Sequence, residues 1–193
     1  MSKVRFNLYN VHYAMLKEGE DGAVTYDKPK AILGSVSLEL SAKGDSSTLY
    51  ADGRSYYVTH ANNGYDGSLE MALLPDEFKT DCLGFVKGAN GEIIEDAAAE
   101  PKKYALLYQV DTDDGPSVGV LYNCTSGRPD ISAKTNEEKK SLTNDKLPIT
   151  ALPLPRDKDG RMFVKSSASK SDEAFTTWFD AVTLPTVAST VTG

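Results

Sequence analysis

A chain of 193 residues with 40% hydrophobic residues can bury one sizeable core and has no room for a second enzyme-sized domain. Its formal net charge of -7, with only five arginines and no Lys or Arg after Lys170, argues against wrapping a nucleic-acid backbone, which takes clustered cations to displace counterions. The same charge is compatible with DNA passing by, since an acidic surface repels phosphate at short range and a channel, if lined with it, would let DNA slide; the sequence itself shows no channel.

The run from Met1 to Phe6 lacks the apolar stretch of a secretory signal, and no segment approaches the roughly 20 apolar residues that span a bilayer. The expectation is a chain made and kept in a cytoplasm. Strand-like runs follow at 10–17, 34–42, 56–61, 67–74, 103–111 and 117–125, with weaker ones near 92–95, 147–154 and 161–166. In 34–42, Val36, Leu38 and Leu40 alternate with Ser35, Ser37, Glu39 and Ser41, the period of a strand with one face buried and one wet. Asp52-Gly53, set between β-rich segments, predicts a tight turn and makes 46–57 a hairpin with an aromatic arm. A second alternating run, Ser68 and Glu70 against Leu69, Met71 and Leu73, leads into Pro75–Gly84, where Pro and acids at the start and Gly at the end predict a short helix.

Asn90-Gly91, Asp114-Gly115 and Asp159-Gly160 each supply the residue pair that two-residue hairpins favour, so the sheet is expected to be mostly antiparallel. Tyr104 to Val110 is apolar on nearly every residue, which predicts a central strand covered on both faces. Residues 132–146 are polar with balanced charge and predict a solvated loop. Phe175, Trp178, Phe179 and Val182 fall at i, i+3, i+4 and i+7, predicting a second helix over 171–181 whose aromatic stripe docks on a sheet face as core.

Chemistry-bearing groups are few. His12 and His60 have no Cys or acid at ligand-like spacing, so no metal site is expected. Asp111–Gly115 and Asp157–Gly160 lack the alternating ligands and distant Glu of a calcium loop and read as turns. No nucleophile elbow, phosphate loop or Cys–His pairing stands in recognisable context, and neither an enzyme nor a cofactor is expected. Cys82 and Cys124 read as two buried free thiols, a disulfide between them being the other reading. Tyr50, Tyr56, Tyr57 and Tyr65, four of ten tyrosines, crowd one hairpin, where they either cover a sheet face or form an interface that is apolar on one side and wet on the other.

The string Leu49-Tyr50-Ala51-Asp52, followed by Gly64 and Gly67, then Leu73-Leu74-Pro75-Asp76-Glu77-Phe78 and Leu83-Gly84, resembles the major tail protein of long-tailed bacteriophages of Gram-positive hosts. The likeness runs more loosely from about Phe6 to about Pro185, through Tyr104–Tyr108 and the segment around Trp178-Phe179, and departs at Gly53, where Asn or Asp is expected. It implies an antiparallel β-sandwich or barrel of the tail-tube type with one or two short flanking helices. Residues 1–185 would form a single domain with a projecting hairpin near 45–57, and 186–193 a C-terminal tail or arm. It further implies a structural virion protein, assembled in the host cytoplasm, whose hexameric rings stack into a tail tube for genome delivery. Its partners would be other copies of itself, tape-measure and tail-terminator proteins, and double-stranded DNA that passes without specific binding. On this reading Leu49, Tyr50, Asp52, Arg54, Tyr56 and Tyr57 meet a neighbouring subunit, Ser35, Ser37, Glu39, Ser41, Ser68 and Glu70 face the channel, and Phe175, Trp178 and Phe179 are core. Two rivals are the tube of a phage-tail-like bacteriocin or secretion device and a monomeric carbohydrate-binding or adhesin-like β-sandwich.

Overall fold

The computed structural model describes residues 3–20, 22–133, 135 and 143–187. Thirteen strands dominate the described residues: β1 Arg5–Glu18, β2 Val24–Tyr26, β3 Lys30–Ala31, β4 Ser35–Ala42, β5 Ser46–Ala51, β6 Arg54–His60, β7 Tyr65–Met71, β8 Val86–Lys87, β9 Ile93–Ile94, β10 Tyr104–Thr112, β11 Gly115–Ser126, β12 Asp145–Ala151 and β13 Lys165–Ser169. One helix, α1, spans Asp76–Cys82. The main sheet is antiparallel, with order β2-β1-β10-β11-β12-β7-β4, β13 added on β11 and β3 on β1. β11 forks it, since Ser117–Leu121 pair with β13 and Cys124–Ser126 with β12. The fold is therefore mainly β. β1, next to one end of the curled sheet, and β4, at the other end, approach each other, yet they do not pair; of the sandwich and barrel alternatives, closure into a barrel is not seen among the described residues.

The apolar run in β10 has the two-sided cover that its composition requires. Tyr104 and Leu106 enter a core with Val11, Tyr13, Leu69, Met71, Phe78, Leu121 and Leu147, enclosed by the curl of the sheet. Ala105 and Leu107 enter a second cluster on the opposite face with Val120, Tyr122 and Leu154, over which Tyr26, Phe163, Trp178, Phe179 and Val182 pack. The second layer is thus made of β2 and irregular chain, not of a second sheet. α1 closes one end of the first core through Phe78, whose ring meets those of Tyr13 and Tyr104 edge-on. Cys82 and Cys124 are both free and buried, and burial pushes the Cys124 thiol up to about 12.

Three expectations need correction. The 171–181 stripe forms only a 3-10 turn, Glu173–Thr177, closed by i→i+3 bonds such as Phe175 N to Asp172 O at 3.0 Å. β-branched Thr176 and Thr177 disfavour an α-helix, and a 3-10 turn does not keep the i, i+4 stripe. Trp178 and Phe179 still pack on the second cluster, but Phe175 is half-buried and stands outside it. Asp145 and Lys146 belong to β12, so the 132–146 loop is shorter than expected, and most of it lies outside the described residues. The turn after β10 is Asp113-Asp114, since Thr112 pairs with Gly115, which already opens β11. Of the 186–193 tail, only Thr186 and Val187 are described.

Candidate functional site

Two surfaces collect the residues singled out from the sequence. The first is the hairpin β5–β6. Its turn, Asp52-Gly53, has φ of +53° and +72°, the paired left-handed geometry of a two-residue hairpin turn that matches the twist of the strands. Leu49 pairs with Tyr57 and Thr48 with Val58, and Tyr56 is the extra residue of a bulge opposite the Leu49/Tyr50 step. From Ser46 to His60 every residue is exposed except half-buried Ala51. Leu49 (59% exposed), Tyr50 (70%), Tyr56 (68%) and Tyr57 (61%) hold their rings and branches in water, with Asp52 and Arg54 at the tip. Among the described residues the ribbon pairs with no other strand. An isolated two-stranded ribbon is marginal in water, and large exposed apolar patches mark interaction surfaces.

The second surface is the outer face of β4, β7 and β12. Register places Ser37 beside Glu70 and Lys146, Glu39 beside Ser68 and Pro148, and Ser41 beside Asp66 and Thr150. The reverse face carries Leu38, Leu69 and Leu147 in one row and Leu40, Gly67 and Ile149 in the next. Gly67 is required there, because a Cβ would stand 1.9 Å from the Glu39 carbonyl oxygen. The Ser37 hydroxyl donates to Glu70 Oε2 at 3.1 Å, Thr150 donates to Asp66 Oδ1 at 2.9 Å, and Lys43 Nζ ion-pairs Asp66 Oδ2 at 3.0 Å. The Lys43 and Thr150 hydrogen bonds hold the Asp66 carboxyl below its ordinary value.

Five of the six residues assigned to this polar face lie on it. Ser35 does not: Val36 is an extra residue between the Ser35–Met71 and Ser37–Glu70 pairs, and this bulge returns Ser35 to the register of the core face. The same bulge leaves Val36 50% exposed where alternation assigned it to the core, and Leu73, beyond the end of β7, is 70% exposed. Ser68 is on the face but buried, at 8% exposure. Sequence reasoning missed Asp66, Lys146 and Thr150, although Lys146-Leu-Pro-Ile-Thr-Ala151 carries the same alternation.

A polar network ties α1 to the sheet. Lys30 Nζ lies 2.7 Å from both Glu77 Oε1 and Asp81 Oδ2, and the Tyr13 hydroxyl donates to Asp81 Oδ2 at 2.9 Å. Burial raises the Asp81 carboxyl, but the hydrogen bonds from Lys30 and Tyr13 outweigh it and hold the group below its ordinary value of 3.8. Among the described residues no three His, Cys, Asp or Glu side chains gather as metal ligands, and no helix is long and apolar enough to cross a membrane. No protein-family model and no curated protein matches the chain.

Proposed function

We propose that this protein is a structural subunit that assembles with copies of itself into stacked rings, a tube of the phage-tail type through which a genome passes. The observation that carries the reading is the β5–β6 hairpin, whose large apolar side chains are left in water by their own chain. A surface of this kind marks a site where another molecule docks. A hairpin on one part of the chain that docks elsewhere on the next copy makes a heterologous contact, which closes into rings or runs on into a filament. The end strands β4 and β2, each paired on one side only among the described residues, add edges that strand pairing between copies would use up.

Within such a ring the polar face of Ser37, Glu39, Ser41, Asp66 and Glu70 is assigned to the channel, where its carboxylates keep phosphate from sticking. Sedimentation velocity over a wide concentration range tests the reading: the chain shifts from subunit to large, discrete assemblies as concentration rises. A chain that stays monomeric at the highest concentration sinks it and favours a binding module.

A further inference from the structure

The sheet stays open along a seam between the start of β1 and the start of β4, and a groove of about 430 Å³ follows it. Phe6 and Leu8 form one wall, Val36 and Leu38 the other. Bulges at Asn7 and Asn10, both with positive φ, bend the first half of β1, and the Val36 bulge turns β4. Tyr108 lies in the floor. Its ring crosses Gly119 of β11, where a Cβ would stand 2.5 Å from the ring carbon Cζ, so only glycine at 119 leaves the ring its place. The polar lining gathers around this ring. Burial raises the Tyr108 phenol, and the Arg5 guanidinium is near enough to draw it back down. The Lys165 ammonium stands 5.0 Å from the centre of the Tyr65 ring. In a chain of net charge -7, the lining holds both cations and no Asp or Glu. Asp111 and Glu70, which bond to the lining residues Asn7 and Ser37, alternate with Val110 and Leu69 and so stand on the opposite faces of their strands. Among the described residues neither Arg5 nor Lys165 pairs with a carboxylate, and the hydroxyls of Tyr65 and Tyr108 make no hydrogen bond.

We propose that the seam groove binds a free medium-chain fatty acid, its carboxylate between Arg5 and Lys165 and its alkyl tail between the two walls. Three features select this occupant. Two cations without carboxylate partners, beside two phenol O–H donors, suit one small anion with oxygen acceptors. The walls of Phe6, Leu8, Val36 and Leu38 offer an alkyl chain apolar cover and ask for no polar partner. The volume stands near the lower end of the roughly 300–1,000 Å³ of small-ligand sites, room for one chain and not for a two-chain lipid or a folded segment of protein. The site is complete within one subunit, so the proposal does not depend on self-assembly.

The test is isothermal titration calorimetry of the full chain, diluted until sedimentation shows the unassembled subunit. The probes are sodium decanoate, kept below its micelle concentration, and uncharged decanol. The expected result is saturable one-to-one binding of decanoate by the wild type. Affinity should fall about tenfold for decanol, and about tenfold for decanoate in each of Arg5→Gln and Lys165→Gln, whose side chains are exposed and carry no part of the core. Val36→Trp, at the half-exposed mouth, puts an indole into the groove and should abolish binding with the circular dichroism spectrum unchanged. Absence of saturable decanoate binding by the wild type overturns the proposal. So does decanol binding as tight as decanoate, decanoate affinity unchanged in both charge variants, or full binding by a folded Val36→Trp chain.

Discussion

Replacing Trp178 by Ala separates a residue of the subunit's own core from one that works between subunits. The indole is half-buried against the Leu107, Val120 and Tyr122 cluster, and its Nε1 donates to the Gly119 carbonyl at 3.3 Å. A fully buried aromatic removes some 150–250 Å² from water; half of that, at about 25 cal/mol per Å², gives about 2–3 kcal/mol. The long hydrogen bond to Gly119 adds at most about 1 kcal/mol. The loss therefore sits at the low end of the range for deleting a core aromatic, and in a protein of this size it lowers Tm by about 6–10 °C. The assay is thermal or urea unfolding of the unassembled subunit, followed by circular dichroism because the variant has lost the only tryptophan. In the wild-type subunit Trp178 emission should already be blue-shifted before any assembly. An unchanged Tm in the variant, together with water-like emission from the wild type that shifts only on association, would refute this packing and move the C-terminal segment to an interface.

Phe78→Ala should be worse, by about 3–5 kcal/mol in urea unfolding, because Phe78 is fully buried and loses two edge-on ring contacts as well. Because the folded-state value of Asp81 is depressed, its contribution is present above the ordinary value of 3.8 and is lost as pH falls through the lower folded value; Asp81→Asn should flatten stability against pH in that acid range, as denaturation at pH 7 and at pH 3 will show. Replacing Ser47–Ser55 by a short Gly linker should leave subunit stability within about 0.5 kcal/mol, since this part of the hairpin buries almost nothing, while large assemblies vanish from sedimentation profiles. Glu39→Lys with Glu70→Lys should leave assembly intact but make the tubes retain double-stranded DNA in a salt-sensitive way, measured by co-sedimentation; DNA retention equal to wild type would remove these residues from the channel.

Much of the fold was readable because alternation and turn chemistry act locally. The Asp52-Gly53 turn, α1 between Pro75 and Gly84, and the doubly covered β10 follow from residue types whose effects reach only a few positions. What was not readable depends on backbone irregularity or on distant partners. Nothing in Ser35-Val36-Ser37 signals the extra residue that reverses the face of Ser35, and left-handed Asn7 and Asn10 hide the first half of β1 behind a broken period. β2 and β3 are too short to carry a pattern. The C-terminal stripe misled because the same spacing of aromatics suits an α-helix and a tight turn that drops Trp178 and Phe179 on one sheet face. The hairpin was legible as a surface feature from its crowded tyrosines, but the groove at the open seam arises only where β1 and β4, distant in sequence, meet.

Electron microscopy of the purified full chain at high concentration tests the central claim most directly. Rings stacked into tubes with an axial channel are the expected result, with only dispersed subunits or short stubs from the Ser47–Ser55 replacement viewed alongside. Single particles or amorphous aggregates from the wild type, or tubes of normal length from the hairpin replacement, would contradict it.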